Sequence, residues 1–334
     1  MRAKASCRSR RRGAHLRLAT ALTLACAAMV LLPSLAAAAT QPVDMAAPYE
    51  YLGWGNPQPP TSVMATTGIR DLTLAFILSH GKCNPEWDGS RPLLGGSDEA
   101  AIDAIRAAGG EVVVSFGGWS GKKLGSSCKT VATLAGAYQK VIDAYALKAI
   151  DVDIEHGEFT NKKTRKRVIE ALAVTQQANP GLEISITFGT EEDGPEASGR
   201  SLIADAAAVG FQPTAWTIMP FDFGPAQTDM GHASIRALEG LAGDLVSAYH
   251  VSAATAYEHA GISSMNGDTD EASETVSVED FQTMLTFAEQ KRLVRVTFWS
   301  VNRDRECGSG REEECSGIVQ QPYAFTDLLA QYDG

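Results

Sequence analysis

Residues 149–155 constrain the fold more than any other part of the chain. Apolar β-branched residues occupy positions 150, 152 and 154, and acidic residues occupy positions 151, 153 and 155. Side chains of a strand point alternately to opposite faces, so the three carboxylates share one face. A polar strand at a solvated sheet edge explains this poorly, because aspartate is depleted in strands. The pattern favours a parallel barrel strand whose apolar face meets helices and whose acidic face lines an internal site.

The three acids also suggest proton chemistry. Crowding carboxylates raises the pKa of at least one of them, so we expect a proton to be shared within the row. Glu155 is the acid nearest the carboxyl end of the predicted strand. Active sites of parallel barrels lie at that end. Glu155 is therefore the natural proton donor to a leaving group.

Short apolar segments alternate with amphipathic helices along the chain, which is typical of a parallel sheet. Strands are predicted at 49–54, 72–78, 111–116, 149–155, 182–188, 215–221, within 259–265 and at 293–299. Helices are predicted at 98–108, with Ser97 as N-cap, and at 130–146, 164–178, 197–209, 233–249 and 278–291. The fold class is α/β, a (β/α)8 TIM barrel, which typically needs about 250 residues. We expect one catalytic domain over 49–334, after a short linker at 40–48.

Residues 1–39 are predicted to be a signal peptide. Seven basic and no acidic residues precede position 18, an apolar run follows to position 35, and four alanines supply a cleavage site. Pro33 and the alanines interrupt the apolar run, which disfavours a membrane span. An Arg-Arg pair hints at twin-arginine export, and Cys26 hints at a lipoprotein, but the residues around both fit poorly. We therefore expect general secretion and an extracellular protein.

The charge of the mature chain limits its partners. The whole chain has 29 basic and 40 acidic residues, so loss of the seven basic residues near the start leaves a net charge near −18. Strong acidity disfavours nucleic acid and anionic membranes as partners. The one basic cluster, at 161–167, is expected to form a solvated helix face. We expect a monomer.

Four cysteines remain after position 39, which suggests two disulfides in an exported protein. Cys307 and Cys315 flank a glycine- and glutamate-rich loop and are close enough in sequence to pair. That leaves Cys83 with Cys128, both in loops after predicted strands. Zinc binding is the competing interpretation, but no Cys-x-x-Cys spacing and no nearby histidine pair supports it.

The acid row Asp151-x-Asp153-x-Glu155 resembles the catalytic signature of family 18 glycoside hydrolases, the chitinases and their relatives. Three other stretches at predicted strand ends resemble motifs of the same family: Ser115-Phe116-Gly117-Gly118, Met219-x-Phe221-Asp222 and Trp299-Ser300-x-Asn302-Arg303-Asp304. The resemblance covers most of residues 49–310. It implies the barrel, hydrolysis of N-acetylglucosamine polymers such as chitin, and no metal or cofactor.

The resemblance also implies roles for residues outside the acid row. The glycine pair would keep backbone close to the sugar, and Trp299 would stack beneath it. The predicted substrate-binding residues are Ser115, Gly117, Gly118, Met219, Phe221, Asp222 and Trp299. Each also has an ordinary structural interpretation: the glycines as a tight turn, Met219 and Trp299 as core, and Asp222 as a turn residue.

The implied mechanism is substrate-assisted and retaining, an exception to the usual scheme of two enzyme carboxylates. Glu155 would protonate the glycosidic oxygen, and the N-acetyl carbonyl of the substrate would attack the anomeric carbon. Asp153 would orient the acetamido group and offset the developing positive charge, while Asp151 shares its proton with Asp153. Glu155 would then act as the base for water.

The sequence departs from the family pattern in ways that leave alternatives open. Lys148 replaces the first aspartate of the signature and is expected to be dispensable. Phe221 stands where many relatives have a tyrosine, and Phe223 stands where the nearest bacterial branch has one; Tyr257 is a candidate substitute. An endo-β-N-acetylglucosaminidase acting on N-glycans and a catalytically weak, chitin-binding lectin-like barrel remain alternative functions.

Overall fold

The protein is described from a computed structural model that covers residues 43–224, 228–271, 274–307 and 312–332. The predicted signal peptide lies outside these residues. Within them, eight parallel strands form a nearly closed barrel in the order β1 to β8, and each pairs with the next up to β8. The strands are β1 Tyr49–Tyr51, β2 Leu72–His80, β3 Val112–Gly117, β4 Ala149–Asp153, β5 Glu183–Gly189, β6 Ala215–Met219, β7 Ala260–Met265 and β8 Arg295–Trp299. The predicted TIM barrel is confirmed.

The outer face of the barrel is covered by the predicted helices. Their observed bounds are Ser97–Ala107, Val131–Tyr145, Lys162–Ala178, Ala197–Ala208, Met230–Tyr249 and Val278–Lys291. Ile150 and Val152 of β4 lie in the main hydrophobic core together with Leu134 and Ile169 of two helices. The apolar face of the acid-bearing strand is therefore buried as predicted. The prediction of Ser97 as an N-cap was wrong, because helix Ser97–Ala107 begins at Ser97 itself and has no side-chain cap.

Several short elements were not predicted. They are the helices Pro60–Thr67, Leu124–Ser127, His156–Thr160, Ala253–Glu258 and Ala324–Leu329, the 3-10 turns Val301–Arg303 and Glu312–Glu314, and the strands Asn84–Trp87, Gly267–Asp268 and Thr275–Val276. Strand Asn84–Trp87 pairs antiparallel with the end of β2, within a segment predicted to be a polar loop. Most of these elements are too short for a hydrophobic period to be read from sequence.

The described part of the predicted linker belongs to the barrel. Val43, Met45 and Ala47 form a buried cluster with Val113 and Ala149, which stand at the amino ends of β3 and β4. Burial of these side chains closes the amino-terminal end of the barrel. From Val43 onward the segment is therefore packed against the domain and is not a free linker.

Side chains bridge the gap between β8 and β1, which are the two ends of the hydrogen-bonded strand order. Asn302 accepts a hydrogen bond from the Tyr51 backbone N–H at 2.9 Å and donates to the Tyr51 carbonyl at 2.8 Å. Near the other end, Thr297 and Thr73 both donate to the Ala47 carbonyl, at 2.7 and 2.8 Å. Polar side chains thus replace part of the missing backbone ladder.

Both predicted disulfides, Cys83–Cys128 and Cys307–Cys315, are present. The zinc interpretation therefore fails, because all four sulfurs are engaged in bonds to one another. No helix in the described ranges is both long enough and apolar enough to cross a membrane.

The basic cluster at 161–167 is only partly a solvated helix face. Lys162 and Lys163 are exposed as predicted. Arg165, however, is 5% exposed and donates to the Phe159 carbonyl at 2.7 Å. Arginine can bury its long stem and satisfy backbone carbonyls with its fixed donors, which a reading of charge alone does not anticipate.

Candidate active site

The acid row lies at the carboxyl end of the barrel. Asp151 and Asp153 are the last inward-facing residues of β4, and Glu155 follows two residues beyond them, directly before helix His156–Thr160. Asp151 stands opposite Ser115 of β3 and Ser185 of β5. The alternation predicted from sequence therefore carries the row from the barrel interior to its mouth.

Asp151 is a completely buried and fully hydrogen-bonded carboxylate. Its Oδ2 accepts hydrogen bonds from Tyr49 Oη at 2.7 Å and Ser115 Oγ at 2.6 Å. Its Oδ1 accepts from Thr187 Oγ1 at 2.7 Å and lies 3.8 Å from Nη2 of Arg295. Both oxygens therefore act as acceptors beside a cation. Asp151 is thus held firmly in place at the inner end of the row.

Ser115 was predicted to bind substrate, and in the structure it contacts Asp151 inside the barrel. Its side chain is completely buried and donates to Asp151. Its contact with a sugar stays a prediction. The short hydroxyl side chain positions a carboxylate, a role that its place opposite Asp151 in the strand register could have indicated.

Asp153 has the environment of a protonated carboxyl group. It is 5% exposed, and its Oδ1 has no hydrogen-bond partner among the described residues. Burial raises its pKa well above the usual range, and the charges of Glu155 and Asp151 raise it further. The sequence analysis explained a raised pKa by the crowding of carboxylates alone, whereas burial is the larger cause. The sharing of a proton with Asp151 stays a prediction.

Glu155 is tuned to exchange a proton near neutral pH. Burial raises its pKa to about 7, the ammonium group of Lys123 opposes this rise, and the carboxylates of Asp270 and Asp222 add to it. A general acid works best when its pKa lies near the working pH. The position and the pKa of Glu155 both suit the predicted proton donor.

Lys123 is a site residue that the sequence did not reveal. Its side chain is buried, and its Nζ donates to the carbonyls of Gly117 and Ser120. Burial lowers its pKa, whereas the neighbouring Glu155 and Asp153 raise it. It lies in a loop with no regular pattern, so only its three-dimensional position shows that it faces the acids.

The glycine pair lets the end of β3 pack tightly against the acid row. Gly117 and Gly118 have φ of 105° and 77°, which favour glycine. A Cβ on Gly117 would lie 2.0 Å from the Asp153 carbonyl oxygen, and one on Gly118 would lie 2.6 Å from the Phe76 ring. The pair therefore sets the positions of an acid and an aromatic ring. Its contact with a sugar stays a prediction.

Trp299 forms part of an aromatic floor at the end of β8. Its ring stacks on Phe76 with centroids 5.5 Å apart and planes 14° apart, and it also packs against Tyr49 and Tyr51 at 5.8 and 6.1 Å. The Ala75–Phe76 and Trp299–Ser300 peptide bonds are both cis. Trp299 is only partly buried, so one part of the indole remains available to a ligand.

The residues after Trp299 in the predicted motif support the fold around the site. Asn302 bridges to β1, as described above. Asp304 is completely buried and accepts hydrogen bonds from the Thr326 hydroxyl and backbone N–H, at 2.7 and 2.8 Å. Arg303 donates to the carbonyl of Asp268. These residues thus tie the end of β8 to its neighbouring segments.

The loop after β6 is held by the acidic loop that follows β7. Met219 ends β6, and Phe221 is partly buried and packs against the main core. The backbone N–H of Asp222 donates to Glu274 at 2.6 Å, and the Asp222 side chain accepts from the Glu271 backbone at 3.0 Å. The structure therefore brings Asp222 to the mouth of the barrel, on the same side as the acids.

Tyr257 cannot supply the hydroxyl that Phe221 lacks. It lies in helix Ala253–Glu258, which directly precedes β7, and so stands at the amino-terminal end of the barrel. Its ring packs against Phe287, with centroids 6.0 Å apart. The acids lie at the opposite end. The suggestion that Tyr257 reaches the sugar was therefore wrong.

An anchored carboxylate, a glutamate of raised pKa at the barrel mouth and an aromatic floor form a site of the kind that glycoside hydrolases use. Comparison with protein-family models gave no match. The chain is 27% identical over 283 residues to the probable bifunctional chitinase/lysozyme of Escherichia coli K12, covering 79% of this chain and 32% of that protein. It is 26% identical over 250 residues to endochitinase 11 of Metarhizium anisopliae, with coverage of 71% and 48%.

The catalytic domain of the hyperthermophilic chitinase from Pyrococcus furiosus superimposes with a TM-score of 0.77 at 27% identity, covering 86% of this chain and 93% of that domain. The matched region covers 32% of the length of the first curated relative and 48% of the length of the second. The activities of these longer proteins therefore do not transfer directly to this chain. The barrel, the acid row and these similarities support a family 18 glycoside hydrolase, as the resemblance implied.

Proposed function

We propose that the protein is a secreted chitinase that hydrolyses β-1,4 bonds between N-acetylglucosamine units. The observation that carries the proposal is the position of Glu155, whose pKa is about 7, at the mouth of the barrel beyond the anchored Asp151 and the protonated Asp153. The Pyrococcus furiosus chitinase domain has been solved with chito-oligosaccharides, which supports the same class of substrate here.

In the proposed mechanism, Glu155 protonates the glycosidic oxygen of the leaving sugar. The substrate's N-acetyl carbonyl oxygen attacks the anomeric carbon, the glycosidic bond breaks, and an oxazolinium ion forms. Glu155, now ionised, then removes a proton from the water that opens this ring. Two inversions at the anomeric carbon give retention, and the enzyme itself forms no covalent bond.

Asp153 prepares the acetamido group for this attack. Its Oδ1 has no partner among the described residues and can accept a hydrogen bond from the acetamido N–H. That contact would turn the carbonyl oxygen toward the anomeric carbon. Movement of the Asp153 proton toward Asp151 would leave negative charge beside the oxazolinium as it forms.

Secretion is part of the proposal. The basic and apolar segment before position 40 has the pattern of a signal peptide. The two disulfides fit an oxidising compartment, where such bonds persist. Detection of the mature protein in culture medium, with its amino terminus determined, tests the route and the cleavage site.

Hydrolysis of an N-acetylglucosamine tetramer and of a high-mannose glycopeptide tests the activity directly. We expect cleavage of the tetramer, and a loss of at least ~10²-fold in the Glu155→Gln variant with retained binding, because an amide keeps the shape but cannot donate the proton. Glu239→Gln, at an exposed helix position, is the matched control. Preferred cleavage of the glycopeptide would indicate the N-glycan enzyme. Binding of the tetramer without cleavage would indicate the lectin-like barrel.

A further inference from the structure

A cavity of about 430 Å³ beside the catalytic glutamate is lined by lysines. They are Lys82, Lys122, Lys123 and Lys129. The cavity is concave and lies next to the acid row, since Lys123 also acts electrostatically on Glu155. Four lysines thus line one cavity in a chain whose formal net charge is −11.

The disulfide between Cys83 and Cys128 holds two of these lysines in place. Lys82 directly precedes Cys83, Lys129 directly follows Cys128, and the two cysteine Cα atoms are 4.8 Å apart. Lysines brought together by a covalent link repel one another, and the repulsion is weakened only by solvent and salt. The fold therefore maintains a cluster of like charge at this place.

Lys123 faces the acid row, but among the described residues no salt bridge engages the other three lysines. Among the described residues, the lysines that form salt bridges are Lys148 and Lys166, and neither lines the cavity. The one carboxyl group in the lining is that of Glu158, whose pKa is raised to about 7 by burial. The cavity is therefore positive near neutral pH, and its concave shape concentrates the field on an anion.

Trp119 and His156 connect the wall of the cavity with the acid row. Trp119, which is 67% exposed, directly follows the glycine pair at the end of β3 and lines the cavity. Its ring lies 3.9 Å from the ring of His156, which directly follows Glu155. A chain that places its scissile bond at Glu155 and extends past Trp119 thus passes the lysines.

We propose that this cavity binds an anionic substituent of the substrate, so that the enzyme acts preferentially on acidic glycans built on N-acetylglucosamine. The inference rests on the proposed glycosidase function and defines its substrate more closely. Carboxylate and sulfate substituents share the recognised chemistry, namely negative oxygens that accept hydrogen bonds from ammonium groups.

The test compares three tetramers of N-acetylglucosamine: a neutral one, one that carries carboxymethyl groups and one that carries 6-O-sulfate groups. Wild-type protein should cleave at least one acidic tetramer with a higher kcat/KM than the neutral tetramer. Replacement of Lys82, Lys122 and Lys129 by glutamine should lower this acidic-to-neutral ratio roughly three- to ten-fold, because each exposed ion pair contributes modestly. Raised salt should lower the ratio in the wild type.

A matched variant keeps the test specific to the cavity. Replacement of Lys140, Lys291 and Arg292 by glutamine changes the net charge equally at positions that do not line the cavity, and it should keep the wild-type ratio. An equal ratio in both triple variants, or no preference in the wild type, overturns the inference while the proposed function stands. The two acidic tetramers show which substituent is recognised.

Failure of the proposed function is distinguishable from failure of the inference. If the wild type cleaves none of the tetramers, the proposed function fails, and titration calorimetry of the acidic tetramers then decides on the cavity. If the triple variant of the cavity lysines loses binding and the matched triple variant keeps it, the result supports the anion site independently of catalysis. Equal binding by both variants, or none, would overturn it.

Discussion

The guanidinium group of Arg295 lies 3.8 Å from the carboxylate of Asp151 inside the barrel, and both side chains are completely buried. Tyr49, Ser115 and Thr187 donate the hydrogen bonds that complete the surroundings of the carboxylate. A buried charge is tolerated only when it is paired and hydrogen-bonded. This pair holds Asp151 at the base of the acid row, next to Asp153.

Arg295→Met should destabilise the protein strongly, because it leaves Asp151 as a buried charge without its cation. Loss of one partner of a buried pair typically costs about 3–5 kcal/mol. The double variant Arg295→Met/Asp151→Asn should regain part of the loss, since no uncompensated charge remains. Free energies of unfolding from denaturant titrations of the wild type, both single variants and the double variant give the coupling. If the two single effects simply add, the pair is not coupled and this account is wrong.

The activity should decline as pH rises through about 7, because Glu155 must carry a proton to protonate the leaving oxygen and its pKa is raised to about 7. Lys123 lowers this pKa by its positive charge. Lys123→Met should therefore raise the pKa of Glu155 and move the alkaline limb of the kcat/KM profile to higher pH. Lys140→Met, at an exposed helix position, is the control. An alkaline limb that stays in place or moves to lower pH would contradict the assigned proton donor.

Glu50 should lower the free energy of unfolding as pH rises. It is completely buried, both of its carboxyl oxygens lack partners among the described residues, and burial raises its pKa from 4.5 to about 8. A raised folded-state pKa favours folding at low pH, and that contribution is lost as pH rises from the unfolded value through the folded one.

Glu50→Gln should remove this loss of stability, because an amide side chain does not titrate in this pH range. One pKa unit corresponds to about 1.4 kcal/mol, so the variant should gain up to about 4 kcal/mol relative to wild type between pH 4.5 and 8. Denaturant unfolding across this pH range measures the gain, with Glu239→Gln as the exposed control. A variant whose stability falls with pH as steeply as the wild type would show that Glu50 is not the cause.

Most of the eight strands could be predicted because they are short apolar runs, and the disulfides because two of the four cysteines are close in sequence. The acid row could also be predicted from a local pattern, because β4 alternates apolar and acidic residues and its apolar face packs against helices. Local patterns of this kind depend on neighbours within a few positions. They are therefore readable without the fold.

The partners of Asp151 could not be predicted in the same way, because they are distant in sequence. Tyr49 is separated from it by 102 residues, and Arg295 stands on the last barrel strand. A single arginine inside the otherwise apolar segment of β8 is a signal that such a partner exists, but the segment does not say which one. Lys123 gives no signal, since its role depends on how the loop after β3 folds back over the acids.

The last prediction concerns the hydroxyl that the sequence lacks at position 221. Many members of the family that the chain resembles have a tyrosine at this position. Its hydroxyl holds the acetamido oxygen. Phe221 has no such group, and Tyr257 lies at the opposite end of the barrel. The natural enzyme should therefore be slow for its family, because the acetamido oxygen has one donor fewer when it attacks. A preorganised donor contributes roughly 2.7–4 kcal/mol at an oxyanion, and this oxygen develops less charge.

Phe221→Tyr should consequently raise kcat on the N-acetylglucosamine tetramer several-fold while leaving KM nearly unchanged, because the new donor acts mainly in the transition state. Phe223→Tyr is the matched control, since it adds the same hydroxyl two residues later, where the bacterial branch has its tyrosine. An increase only for Phe223→Tyr would assign the missing group to that position. If neither variant is faster and the wild type already turns over rapidly, another group holds the acetamido oxygen, and the missing hydroxyl does not limit the rate.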